Sequence, residues 1–190
     1  MLSDVMKALT TRRPIVLTTT SLCSGAFTAR IARTQRLHVL RIAGFAMASW
    51  ERLHHDVEAG LFKAYGLDVQ ATTFPGAAEA VAAISDDTAD VAFTDTLTAV
   101  RTYAQQIPMQ FIAMRDGMDF GYVGLPQVIG AKHYAMARFT RALRENAYAG
   151  YVDSRDLQNV VDKFAAEKLI DKPFSAQEQI SRFAVISGTR

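Results

Sequence analysis

LHVLRIAGF (37–45), GLFKAYGLDVQATTF (60–74), ADVAFTD (89–95) and PMQFIAM (108–114) decide the fold of this chain. Each holds a short apolar run bounded by glycine, proline or aspartate, which is how a buried strand reads. Residues 37–45 predict a first strand, with Gly44 letting the backbone approach something closely. Residues 46–50 are expected as a loop, followed by a helix from about 50 to 58 that Gly60 ends. The chain then turns through Gly66 into a second strand, 67–73, punctuated by Pro75-Gly76. Ala77, Val81 and Ile84 have helical spacing, and Asp86-Asp87 close that helix. Residues 90–93 predict a third strand. Thr94-Asp95-Thr96 are expected as a loop into a helix reaching about 105, and 108–114 predict a fourth strand. This alternation is that of a parallel α/β layer with flanking helices.

Gly60-Leu61-Phe62-Lys63, Gly66-Leu67-Asp68-Val69, Phe74, Gly76, Glu79-Ala80 and Asp90-Val91-Ala92-Phe93 stand in one order and spacing. Over 37–114 that series resembles the first lobe of the SsuA/THI5-like (NMT1-like) substrate-binding proteins of ABC importers. The resemblance implies a periplasmic-binding-protein-like (type II) α/β lobe, a small-molecule ligand, an ABC transporter permease as partner, and no cofactor. It departs from the family at Asp87-Thr88-Ala89, where a glycine is usual before the short strand. An altered turn is the expected consequence.

Composition narrows the function classes. The chain has 21 basic and 19 acidic side chains and a formal net charge of +2. Without a basic stripe, nucleic acid is not an expected partner. Cys23 is the single cysteine, so no internal disulfide forms. No apolar run reaches the ~20 residues of a membrane span. Lys7, Arg12 and Arg13 precede a mild Thr-rich run over 14–22 and small residues at 24–26, the order of an export signal. Arg12-Arg13 within 11–16 resembles a twin-arginine signal. Three segments follow: an export signal and flexible N-terminus (1–36), a first α/β ligand-binding lobe (37–115), and a reduced second lobe with C-terminal helices (116–190). A periplasmic location is implied.

In an open α/β sheet, ligands sit beyond the carboxyl ends of the strands. The candidate ligand-binding residues are therefore Ala46, Met47, Ser49 and Trp50 after the first strand, Gly76 and Ala77 after the second, and Thr94, Asp95 and Thr96 after the third. Helix N-termini opening there suit an anion. Trp50 supplies an apolar wall or fills the core. Asp95 caps the following helix, or faces the crevice and favours a cationic ligand. His54 and His55 point about 100° apart on a helix, so they do not clamp one metal. Glu51 with His55, and His54 with Glu58, have pairing distance but lack a third ligand. No metal, no catalytic residue and no cofactor site is expected. The cysteine-rich iron motif of the related pyrimidine synthase is absent.

The second half is short for the family. The segment 115–130 is glycine-rich, and the missing part of lobe two is expected to fall between about 116 and 137. A helix is expected over 133–149, with Phe139, Leu143 and Ala147 on one face. Another follows Asp153, with a stripe of Leu157, Val160, Val161 and Phe164. Ser175-Ala176-Gln177-Glu178 reads as a capping box. The leading reading is a solute receptor for a small organic anion or heterocycle, such as a sulfonate, taurine, nitrate or a thiamine precursor. The alternatives are a truncated, non-binding relic or scaffold, and a cytoplasmic enzyme of the same superfamily.

Overall fold

The computed structural model describes residues 36–115, 119–146 and 152–184. The proposed export signal lies outside them. Four strands point the same way: β1 (His38–Phe45), β2 (Leu67–Phe74), β3 (Val91–Asp95) and β4 (Gln110–Met114). A fifth, β5 (Phe120–Gly124), runs against them, and the sheet order is β2-β1-β3-β5-β4. β1 pairs in parallel with β2 from His38–Leu67 to Phe45–Phe74, and with β3 at Ile42–Val91 and Ala43–Ala92. β5 is antiparallel to both β3 and β4. The helices are α1 (Ala48–Glu58), α2 (Leu61–Ala64), α3 (Ala77–Ser85), α4 (Thr96–Ala104), α5 (Pro126–Ala131), α6 (His133–Glu145) and α7 (Ser154–Ala166), with a 3-10 turn at Ala176–Gln179.

The two-residue period of the strands separates two cores. Leu40, Ile42, Val91 and Phe93 face Trp50 and Leu53 of α1 and Phe139 and Leu143 of α6. Ala43, Ala92, Phe111 and Val123 face Val81 and Ile84 of α3, Ala99 and Val100 of α4, and Leu157 and Val161 of α7. The alanines at 43, 80, 83, 92 and 99 let helices close on that second face. Asp153 caps α7, accepting from the backbone N–H groups of Arg155 and Asp156.

β5 adds an antiparallel strand to the parallel layer expected from the sequence. Glycines are depleted from strands, which hides FGYVG (120–124) as one. The structure shows what those glycines do. A methyl on Gly121 would stand 3.0 Å from the Ala113 carbonyl oxygen, and one on Gly124 would stand 3.0 Å from that of Asp90. The interval between 116 and 137, expected to hold the gap, thus contains β5 and α5. The chain passes from β4 to β5 within residues 115–119, and Arg115 N–H donates to the Phe120 carbonyl at 2.9 Å. Beyond β4, Ile180 bridges Phe111, and Ser181 N–H donates to the Phe111 carbonyl, which covers part of that sheet edge.

At the amino end of β3, Asp90 is wholly buried. It accepts from the Arg41 backbone N–H at 2.8 Å, from the Arg41 guanidinium at 2.7 Å and from Lys132 Nζ at 2.7 Å. Burial pushes its pKa up, but the bonds from Arg41 and Lys132 outweigh that and hold the carboxyl below its ordinary value. The unusual turn beside it belongs to the same cluster. Asp87 takes φ +55, a conformation that favours glycine, and its side chain and carbonyl both receive Arg41. The expected capping box at Ser175 does not form: Ser175 makes no side-chain cap bond, and Glu178 instead accepts from the Tyr103 hydroxyl at 2.7 Å.

Candidate functional site: the carboxyl ends of the strands

β1, β2 and β3 end at Phe45, Phe74 and Asp95. Register brings the three ends level, since Phe45 pairs with Phe74 and Ala43 with Ala92. Three helices open immediately beyond: α1 after Met47, α3 after Gly76 and α4 after Asp95. Ala46, Met47, Ser49, Gly76, Ala77, Asp95 and Thr96 are therefore gathered on one end of the sheet. Ala46 is exposed, and Met47, Ser49, Gly76, Ala77 and Asp95 are half-buried. Phe45 and Phe120 are also half-buried there, and both rings lie about 6 Å from that of Phe93.

The three helix starts differ in their electrostatics. At α4, Thr94 and Asp95 are the last strand residues, so the expected loop over 94–96 does not exist. Asp95 ends β3 and caps α4 at once. Its Oδ1 accepts from Thr98 N–H at 2.8 Å and its Oδ2 from the Thr98 hydroxyl at 2.7 Å. Thr96 N–H donates to the Asp119 carbonyl at 3.0 Å. At α3, Gly76 is the N-cap and offers no side chain. A methyl there would meet Glu79 Oε2 at 2.8 Å, so that carboxylate folds back over the helix start. At α1, Met47 makes no side-chain cap bond, and its carbonyl accepts from the N–H groups of Trp50 and Glu51. α1 also begins two residues earlier than expected, at Ala48, which puts Ser49 and Trp50 inside the helix.

Among the described residues, two hydroxyls at this end are buried without a partner: Ser49 Oγ and Thr94 Oγ1. Thr94 has no solvent exposure at all. Trp50 is equally buried, so its ring fills the core and does not wall a crevice. Its indole lies 6.2 Å from the Phe93 ring, nearly parallel to it, and Nε1–H donates to Thr73 Oγ1 at 2.8 Å. Thr73 and its neighbour His54, whose Nε2 lies 3.2 Å from the same hydroxyl, carry no sequence signal of this meeting. Nor does β5, which brings Asp119 and Phe120 to the site. His55 Nδ1 pairs with Asp56 at 3.2 Å and not with Glu51. Among the described residues, no group of three His, Cys, Asp or Glu side chains stands ready for a metal, and no helix is long and apolar enough to cross a membrane.

This sheet order, with strand ends converging beneath helix N-termini, is the fold of the periplasmic binding proteins. The periplasmic aliphatic sulphonate binding protein SsuA of Escherichia coli superposes with a TM-score of 0.55 at 10% identity, over 75% of this chain and 97% of that one. The alkanesulfonate-binding protein SsuA of Xanthomonas axonopodis pv. citri, solved bound to MOPS, gives 0.56 at 7% identity over 75% and 98%. A Candida albicans gene product with the generic periplasmic binding protein fold gives 0.51 at 10% identity over 75% and 79%. The chain spans only 26% of a Bordetella bronchiseptica RB50 protein of known structure, at 23% identity over 42% of this chain and a TM-score of 0.38. No family model matches the sequence, and no curated protein matches it.

Proposed function

We propose that this protein is a binder of a small organic anion, a solute receptor serving an ABC importer, and not an enzyme. One observation carries the reading: three helices open at one level, beyond the ends of three parallel strands. Backbone N–H groups and the positive ends of helix dipoles then meet a guest from several sides. The neighbours in fold that bind sulfonates support this ligand class. With α4 capped by Asp95, the backbone donors offered to a guest are those opening α1, at Ala48 and Ser49, and α3, at Ala77 and Ala78, where the Glu79 carboxylate must swing aside. Ser49 and Thr94 hold the hydroxyls that the site leaves unpaired. Export to the periplasm through the segment 1–36 is part of the proposal.

A thermal-shift panel of ethanesulfonate, taurine, nitrate and pyrimidines tests the reading. A ligand at 100 times its dissociation constant adds about 2.7 kcal/mol to stability, which moves the melting temperature of a chain this size by several degrees. A panel with no shift at millimolar ligand rejects the receptor and leaves the non-binding scaffold.

A further inference from the structure

Thr73 stands one residue before the end of β2, exposed, opposite Gly44. Its hydroxyl is shared by two rings of α1. Trp50 Nε1–H donates to Oγ1 at 2.8 Å, and His54 Nε2 lies 3.2 Å from the same oxygen. The rings of Trp50 and His54 meet edge-on at 5.1 Å. A hydroxyl has one hydrogen and two acceptor positions. An indole N–H only donates, so Trp50 always occupies one of those acceptor positions. With His54 neutral and Nε2 unprotonated, the Thr73 hydrogen is drawn to Nε2 and is unavailable elsewhere. With His54 protonated, Nε2–H becomes a second donor to Oγ1. Both acceptor positions are then filled, and the Thr73 hydrogen must turn outward.

We infer that His54 is a pH-responsive positioning residue for the anion site. Its protonation frees the Thr73 hydroxyl as a donor at the carboxyl end of β2, on the face that α1 covers, and places a positive charge behind it. The inference rests on the proposed function for its ligand, but not for the relay. The charged groups around His54 agree in sign. Glu51 and Glu58 lie one turn away on either side along α1, and the adjacent His55 is paired with Asp56. β2 presents only the uncharged Thr72, Thr73 and Phe74 at this level, and α3 presents Glu79 near Gly76. Acid therefore strengthens binding of a sulfonate, whose own charge does not change in this range.

The chain has a single tryptophan, so the indole N–H resonance reports the relay without any ligand. In the intact protein that resonance should differ between about pH 5 and about pH 8, and the difference should vanish in Thr73→Val. Ethanesulfonate affinity, read by calorimetry at about pH 5 and about pH 8, should be about tenfold tighter in acid, as one added charge-assisted hydrogen bond gives. His54→Asn should flatten that dependence. Binding with an indole resonance that ignores pH overturns the relay alone. A titrating indole with equal affinity at both pH values, or an unaltered pH dependence in His54→Asn, overturns its link to the ligand. No binding at either pH, with the indole still titrating, overturns the receptor reading and the gating with it.

Discussion

The benzene ring of Trp50 lies directly on the backbone of Gly44, so close that a methyl at that position would stand 2.3 Å from the indole. Gly44 is needed here for space. The contact fixes α1 against β1 one residue from the strand end, and so sets where Ala48 and Ser49 point. Phe93 packs on the same ring, and Thr73 holds its N–H.

Gly44→Ala therefore forces the ring away. Overpacking of this kind costs about 1–3 kcal/mol. Trp50→Ala removes the ring and leaves a cavity, at about 3–5 kcal/mol. Urea denaturation measures both. In Gly44→Ala, the fluorescence of the single tryptophan should also shift to the red as the indole loses its buried seat. An unchanged midpoint in Gly44→Ala contradicts the packing described.

Asp90 ties three segments together through Arg41 and Lys132, and its folded pKa lies below the ordinary 3.8. The sign of the pH effect follows. Above the ordinary value the carboxyl is charged in both folded and unfolded chains, and its full contribution to stability is present. As pH falls through the lower folded value, the unfolded chain has already taken its proton and the contribution disappears. Stability should thus drop below about pH 4. Asp90→Asn removes the charge shared by Arg41 and Lys132, which are themselves about a third exposed and keep access to water, so it should cost about 1–3 kcal/mol at neutral pH and give a flatter acid limb. Urea midpoints between neutral pH and pH 3 check both statements. An acid limb as steep in Asp90→Asn as in the native chain assigns the effect to other carboxylates.

The strand and helix order was legible because local chemistry and tertiary demand agree there. Gly66 turns the chain at φ +75, Asp153 caps α7, and the apolar runs of β1 and β3 are buried on both faces. β5 was hidden because Gly121 and Gly124 answer a demand made by Phe111, Ala113 and Asp90, which are distant in sequence. Glu178 has the spacing of a capping box, yet the Tyr103 hydroxyl claims it and has its own pKa pushed up to about 12, by burial first and by Glu178 second. At the site, the strand-end positions could be read from the order of elements. The burial of Trp50 and Thr94 could not, because it depends on which helix closes over each strand end.

Asp95 places a carboxylate at the mouth of the proposed anion site while capping α4. Asp95→Ser keeps a capping oxygen, and replacement within the set of good caps changes stability by only a few tenths of a kcal/mol. It removes the like charge. Ethanesulfonate affinity should rise, more at low than at high ionic strength, because the repulsion is screened by salt. Asp95→Ala should lose about 1 kcal/mol of stability as well. Affinity that is unchanged in Asp95→Ser at low salt puts the ligand elsewhere than beside α4.

Thr94→Val separates a core role from a binding one. The Thr94 hydroxyl is buried and unpaired, and valine replaces it with a methyl of similar shape. A buried polar group without a partner contributes a desolvation cost of about 1–3 kcal/mol. Removing it should leave stability unchanged or raise it, by up to that amount. If the hydroxyl instead waits for a guest, the same substitution should weaken ethanesulfonate binding by about tenfold, the worth of a hydrogen bond of about 1.4 kcal/mol. Melting temperature and calorimetric affinity on one variant give the two readings. A more stable Thr94→Val with native affinity makes residue 94 a packing position, and the anion must then be held by the backbone donors of α1 and α3 without it.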